Sequence, residues 1–251
     1  MQSNWEKEFY KEQFEMIHSG DNQPEEAYFK EVASLIHEQV GRPFDTVLEL
    51  GAGRGEVANE IARLGKKVTT IELVEEISQY ATLHAHKNVE VMCADFYKVN
   101  LSKQFDTVLY LDGFGVGTDT EQLYLLQRVN EWMNEDGYAL IDIYQPLYWE
   151  KMNGIEMYPL RGQNIKRQYG YDQSKQRMTD TWWSTAHPEQ SYTQSLACYS
   201  PDQIHALCEK AGFQIVAYYP GGAMNLETGV YQEITSLDEC LSYRIKMKKK
   251  L

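Results

Sequence analysis

The sequence predicts an α/β protein built on a mostly parallel sheet with helices on both faces. Three observations predict it. From residue 46 to about 144, short apolar runs alternate with amphipathic segments at helical spacing. The first run passes straight into a turn with glycine at alternate positions, "TVLELGAGRGEVANEIARLG" (46–65). After an interruption, helix-then-strand patterning returns in "SPDQIHALCEKAGFQIVAYY".

Taken in order, the first 40 residues read as two helices, "WEKEFYKEQFEMIHSG" and "PEEAYFKEVASLIHEQVG". "TVLEL" (46–50) is a strand, and "GEVANEIARLG" is the helix behind the glycines. "KVTTIEL" (67–73), "VEEISQYATLHA" (74–85), "VEVMCA" (89–94) and "FDTVLYLD" (105–112) continue the alternation. "TEQLYLLQRVNEWMNEDG" carries apolar residues at helical spacing up to a glycine stop, and "YALIDIY" (138–144) is a buried strand. Residues 145–199, rich in Tyr, Trp, Thr and Gln, read as antiparallel hairpins inserted after that strand. The next helix is capped by Ser200, with Pro201 in its first turn and Gly212 at its end. "FQIVAYY" (213–219) and a segment near "ECLSYRIKM" (239–247) finish the sheet.

Composition narrows the function. Hydrophobic residues make up 43% and charged residues 24%, the mixture of a soluble globular protein. No apolar run approaches the ~20 residues of a membrane span, and the acidic, amphipathic N-terminus lacks a secretion core, so the expected location is cytoplasmic. The net charge of −13 argues against gripping nucleic acid, and the basic tail "RIKMKKK" reads as a solvated terminus. Four scattered cysteines without a CxxC pair read as reduced thiols. The His84-x-His86 pair falls where two-apart side chains diverge, so no metal site is expected.

Gly51, Gly53 and Gly55 give up packing where a strand meets a helix, which brings backbone N–H groups towards a ligand. A dinucleotide site would want GxGxxG, but Glu56 stands where its third glycine belongs, and an acid there repels a pyrophosphate. Three carboxylates share the register instead. Glu49 lies two residues before Gly51, giving E-x-G-x-G-x-G. Glu72 ends the second strand, 21 positions after Gly51, and Asp95 follows the third in "VMCADF".

Together with "FDTVLYLDGFG" at the fourth strand, these residues resemble the class I S-adenosylmethionine-dependent methyltransferases, closely over 46–144 and more loosely through 199–219. Here the turn before the fifth strand reads Glu135-Asp136-Gly137, a departure from the family's usual proline and first glycine. The resemblance implies a Rossmann-like sheet of seven strands with the last antiparallel, and S-adenosyl-L-methionine as cofactor. It implies that Gly51, Ala52, Gly53 and Gly55 line the methionine and ribose, that Glu72 binds the ribose hydroxyls, and that Leu73 lies beside adenine. Asp95 would take the adenine amino group, with Ala94 and Phe96 against the ring; Leu111 and Asp112 would complete the site. Glu49 would sit near the cofactor's ammonium, directly or through water. A cationic ammonium and sulfonium suit such a border of carboxylates.

The resemblance further implies an N-terminal lid (1–40) on a methyltransferase domain (41–251), whose insert (145–199) covers the acceptor. Tyr10 and Phe14 of the lid, Phe114 after the fourth strand, Tyr144 ending the fifth, and Trp149, Trp182 and Trp183 of the insert would wall a small, partly apolar or amine-bearing molecule. Asp112, at the carboxyl end of the fourth strand, is the candidate base, with Tyr144 and His187 as further bases or orienters. The expected activity is N- or O-methylation of a small molecule, by a monomer or homodimer that binds neither nucleic acid nor membrane. The alternatives are an NAD-dependent oxidoreductase, a protein or RNA methyltransferase, and a non-catalytic cofactor-binding scaffold.

Overall fold

The computed structural model describes residues 5–18, 26–159 and 164–250. Helices α1 (Trp5–His18) and α2 (Glu26–Val40) precede β1 (Thr46–Leu50). Then come α3 (Glu56–Arg63), β2 (Lys67–Glu72), α4 (Glu75–Leu83), β3 (Val89–Cys93), β4 (Phe105–Tyr110), α5 (Asp119–Trp132) and β5 (Met133–Tyr144). Helix α6 (Pro146–Met152) leads into β6 (Glu156–Met157), β7 (Ile165–Asp172), β8 (Arg177–Ser184) and β9 (Ser191–Ala197). Finally α7 (Pro201–Lys210), β10 (Phe213–Pro220), the short β11 (Ala223–Met224) and β12 (Tyr231–Gln232), and β13 (Ser242–Lys249) complete the order.

The main sheet runs β10-β13-β5-β4-β1-β2-β3, with β13 antiparallel to both neighbours. From β1 the chain steps outward to β2 and β3, then returns to place β4 on the other side of β1. That reversal opens a crevice at the carboxyl ends of β1 and β4, where ligands of open α/β sheets gather. The two sheet faces alternate residue by residue. Leu48, Leu50 and Val108 join the core that includes Leu125 and Ile204 of α5 and α7. Val47, Val68 and Leu109 pack with Ala33, Ile36 and Val40 of α2 and Ile61 of α3.

The insert forms a separate antiparallel sheet, β6-β7-β8-β9. Helix α1 bridges that sheet to the body. On one side, fully buried Phe9 packs with Ile165 and Trp182, a burial worth about 1.5–3 kcal/mol for the phenylalanine alone. On the other, Lys11 reaches Glu76 of α4 at 2.6 Å, and the Phe14 ring meets Tyr80 at 5.8 Å. Of the two N-terminal helices, α1 crosses the carboxyl edge, whereas α2 is a layer of the core.

Five details differ from the sequence expectation. The basic segment 244–250, expected as a solvated terminus, mostly forms β13, with Ile245 and Met247 fully buried and Arg244 paired with Asp142 at 2.6 Å. Helix α5 stops at Trp132, not at a glycine, because Met133 turns extended (φ −90°, ψ 142°) and buries its side chain as the start of β5. Gly137 instead lies inside that strand, where a Cβ would come within 3.2 Å of the Phe105 and Asp106 carbonyls. The stretch after Tyr144 begins with a helix before its hairpins: the Gln145 side chain caps α6, whose first residue is Pro146. An unforeseen hairpin, β11–β12, interrupts the path to β13. The α7 signals, by contrast, form as expected, with a Ser200–Gln203 capping box.

Candidate functional site

The three turn glycines all adopt left-handed backbone, with φ of 61°, 55° and 78° at Gly51, Gly53 and Gly55, a region costly to residues bearing a Cβ. The turn is pinned from below. The Gly51 and Ala52 N–H groups donate to the Ile71 carbonyl at 2.8 and 3.3 Å. Glu72, at the end of β2, accepts from the Gly53 N–H at 3.0 Å and from the Val74 N–H at 2.9 Å. A carboxylate has about four lone-pair sites, so Glu72 keeps capacity for a ligand hydroxyl beside its backbone donors.

Above this turn lies a cavity of about 230 Å3, which shares Glu6, Leu73, Phe96 and Val116 as walls with a second of about 660 Å3. The first takes its floor from Gly51, Gly53, Tyr110 and Asp112, and its roof from Tyr10 and Phe14 of α1. A Cβ on Gly53 would meet nothing within 4 Å, so that position faces open space. The second cavity is bordered by Ala94, Asp95, Phe96 and Arg177. Arg177 of β8 donates to the Gly115 and Gly117 carbonyls at 3.0 and 2.8 Å, fixing the loop after β4 against the insert.

The site is acidic. Glu49 is 3% exposed, and its Oε2 finds no partner among the described residues. Burial, then the charge of Glu56, pushes its carboxyl up to about 8. Burial also raises the Glu72 carboxyl, against the pull of its backbone donors. Asp112 is exposed as a residue where it borders the cavity, while protein crowds its carboxyl. This desolvation lifts its carboxyl to about 6, opposed by a hydrogen bond from the Tyr144 hydroxyl and reinforced by Asp142. Asp112 itself sits at φ +52°.

Several expected site residues therefore converge. Gly51, Gly53, Glu72, Leu73, Leu111 and Asp112 border the first cavity, with Tyr10 and Phe14 above them. Ala94 and Asp95 border the second, and Phe96 touches both. The Asp95 carboxylate accepts from the Tyr97 N–H at 2.8 Å and pairs with Lys98 at 2.7 Å. Ala52 and Gly55 shape the turn from behind, and Tyr144 reaches the cavity through Asp112.

Others do not reach it. Phe114 is wholly buried in the core between Tyr110 and Tyr199. Trp149 stands behind Tyr144, ring to ring at 5.5 Å, and donates to the Leu241 carbonyl. Trp182 is buried against Phe9, and Trp183, the next residue on β8, points to the opposite sheet face. His187 lies in the β8–β9 turn, 68% exposed beside Glu189, so the hairpin carries it into solvent.

Glu6, Gln13, Ile17, Arg54 and Tyr110 also line the first cavity and were not anticipated. The signal for Glu6, Gln13 and Ile17 was present: with Tyr10 and Phe14 they recur at helical spacing on one face of α1. Tyr110 had a quieter one, a polar-tipped aromatic ending a strand just ahead of Gly113. A Cβ on Gly113 would come within 2.7 Å of the Tyr110 ring, and one on Gly51 within 3.3 Å. No group of three or more His, Cys, Asp or Glu among the described residues could hold a metal ion. No helix among them is long and apolar enough to cross a membrane.

Comparison with known proteins bears on the family and the fold. A family model described as a methyltransferase domain matches residues 25–218. An uncharacterized methyltransferase of Bacillus cereus (strain 03BB102) is 26% identical over 129 residues, 49% of this chain. The chain spans 61% of the length of that curated relative. Among solved structures, the CcbJ methyltransferase from Streptomyces caelestis superposes with a TM-score of 0.73 at 18% identity, covering 92% of this chain and 94% of that one. An amino pentose methyltransferase from Micromonospora echinaspora, CalS10, gives 0.63 at 17% identity over 94% and 96%. The glycopeptide N-methyltransferase MtfA gives 0.59 at 18% identity over 88% and 90%.

Proposed function

The chain belongs to the methyltransferase domain family, whose class I members use S-adenosyl-L-methionine, and on that premise we propose that it methylates a nitrogen or oxygen of a small molecule. The observation that carries the reading is a glycine turn whose cavity is bordered by Glu72 and Asp112, preceded on β1 by buried Glu49, whose Oε2 has no partner among the described residues. Such a border suits a cationic ammonium and sulfonium and opposes the pyrophosphate of a nicotinamide dinucleotide. The net charge of −13, the roof of α1 over the first cavity, and Arg177 and Ser195 of the insert beside the second favour a small acceptor over RNA or a protein surface. CalS10 is named for an amino pentose and MtfA as an N-methyltransferase, which supports nitrogen as the acceptor atom here.

When bound, S-adenosyl-L-methionine supplies an activated methyl group for in-line transfer. The chain's own residues position and prepare the acceptor. Glu72 holds the ribose hydroxyls while its backbone donors keep the turn in place. Glu49 balances the ammonium, and Asp95 with Phe96 addresses adenine. Asp112 receives the acceptor's proton, a role its carboxyl near 6 suits at neutral pH, and Tyr144 aims it. Helix α1 excludes water and contributes Tyr10 and Phe14 as aromatic walls.

Titration calorimetry with adenosylhomocysteine and, separately, with NAD tests the reading. Binding of adenosylhomocysteine alone is expected; binding of NAD alone would overturn it. Incubation of the protein and S-adenosyl-L-methionine with cell metabolites, read by mass spectrometry for the gain of one methylene, then identifies the acceptor.

A further inference from the structure

Asp180 on β8 is fully buried, and its carboxylate is satisfied entirely by protein. Its Oδ1 accepts from the Arg167 Nε at 3.0 Å; its Oδ2 accepts from the Trp182 Nε1 at 2.9 Å and the Gln194 Nε2 at 3.2 Å. A second Arg167 nitrogen closes the ion pair. The guanidinium lies against the rings of Tyr169 and Trp182, 4.4 and 4.8 Å from their centroids. From the far side of this cluster, the Gln194 Oε1 accepts from the Tyr10 hydroxyl at 3.2 Å.

The chemistry of these groups leaves no choice of direction. An ionised carboxylate only accepts, so Gln194 must turn its amide N–H towards Asp180. Its oxygen is then what remains for Tyr10, and the one hydroxyl proton of Tyr10 is committed to it. Tyr10 lines the cavity from α1, so it offers the occupant lone pairs and no donor. Asp112, which borders the same cavity and accepts the Tyr144 hydrogen bond, likewise offers lone pairs only. At Tyr10 and Asp112 a hydroxyl would find no donor for its own oxygen, the donor-bearing side chains of this cavity being Gln13, Arg54 and Tyr110, and an anion would face acceptors and a carboxylate charge. An ammonium, with several N–H donors and no acceptor, answers both.

We propose that the Arg167–Asp180–Gln194 chain fixes the hydrogen-bond polarity of Tyr10, so that the acceptor end of the cavity selects an ammonium-bearing molecule. Gln194 is a positioning residue for that selection. The inference rests on reading the Tyr10 and Asp112 walls of this cavity as the methyl-acceptor end, beside the glycine turn and Glu72 that take the cofactor, and it adds the acceptor's chemical class and the residues that set it.

The test uses the full chain loaded with adenosylhomocysteine and two matched probes, benzylamine and benzyl alcohol, measured by calorimetry at neutral pH. Failure to bind adenosylhomocysteine in the first step would count against the cofactor reading and is scored separately. In the loaded protein, benzylamine is expected to bind at least about ten-fold more tightly than benzyl alcohol. Gln194→Met, which keeps the side-chain length but removes its polarity, is expected to cut that preference to less than about three-fold with adenosylhomocysteine affinity retained. Tyr10→Phe, which keeps the ring, is expected to do the same without touching the buried cluster. Equal binding of the two probes, binding by neither, tighter binding of the alcohol, or a preference that survives both substitutions would overturn the proposal.

Discussion

The Tyr144 hydroxyl donates to the Asp112 carboxylate across 2.5 Å, while Asp112 holds left-handed backbone at φ +52°. Such a conformation costs on the order of 1 kcal/mol outside glycine. Here it turns the carboxylate over the cavity, where burial lifts its carboxyl to about 6. The working form is the carboxylate, so kcat/KM is expected to fall about ten-fold per pH unit below that value. Asp112→Asn should remove the acidic limb and lower kcat by about 100-fold or more. Tyr144→Phe, which keeps the ring against Trp149, should shift the limb upward, because the hydroxyl favours the charged form. A pH–rate profile of the three proteins decides it; an acidic limb persisting in the asparagine variant would assign the base elsewhere.

Glu72 is tied to its own chain before any ligand arrives, so its substitution should act twice. Glu72→Ala removes the acceptors of the Gly53 and Val74 N–H groups as well as the ribose contact. Adenosylhomocysteine affinity should drop by about 1–3 kcal/mol, and the melting temperature should fall by a few degrees. Glu72→Gln, with one acceptor oxygen left, should lie between the two. Calorimetry and thermal melting on both variants separate the effects, and unchanged affinity in the alanine variant would exclude the assigned role.

What was legible in the sequence follows from distance along the chain. Strand β1 falls on Thr46–Leu50 as read, and the cap at Ser200 forms, because alternation and capping are written within a few residues. The end of α5 was misread since the glycine signal at Gly137 answers to carbonyls of β4, far away in sequence. At the site, Gly51, Glu72 and Asp112 were legible because a strand end fixes its neighbours at the sheet edge. The tryptophans were not. Whether Trp182 or Trp183 faces inward depends on the register of β8 against β7 and β9 and on the helix packed over it. Tyr10, Gln194 and Asp180 meet only after 184 residues of chain separation has been closed, as the Tyr10–Gln194 pair shows.

Two of the glycines that line the cavity should respond differently to a side chain. Gly53, at φ +55° with open space around its Cβ position, should accept valine at the cost of backbone strain, yet the new side chain would stand where the ligand belongs. Gly53→Val is therefore expected to fold, melt lower and lose adenosylhomocysteine binding. Gly113→Ala presses a methyl to 2.7 Å from the Tyr110 ring. It should weaken the acceptor end by displacing that ring, raising KM for the acceptor more than for the cofactor. Normal cofactor binding by the valine variant would show that the turn faces elsewhere.

Glu49 offers a readout that needs no acceptor. Its carboxyl stands near 8 in the folded protein, against an ordinary 4.5. The folded chain thus keeps a proton that the unfolded chain has released between those values, so stability should decline as pH rises through that window. Glu49→Gln, uncharged throughout, should flatten the decline. At pH 7 the ligand-free carboxyl is mostly protonated, and an ammonium placed beside it favours the charged form. Binding of adenosylhomocysteine should then expel about one proton, seen as a dependence of the calorimetric enthalpy on the ionisation enthalpy of the buffer. In Glu49→Gln that dependence should vanish while some binding persists. A wild-type enthalpy indifferent to the buffer would mean that the ammonium does not approach Glu49, and the buried carboxylate would then need another partner.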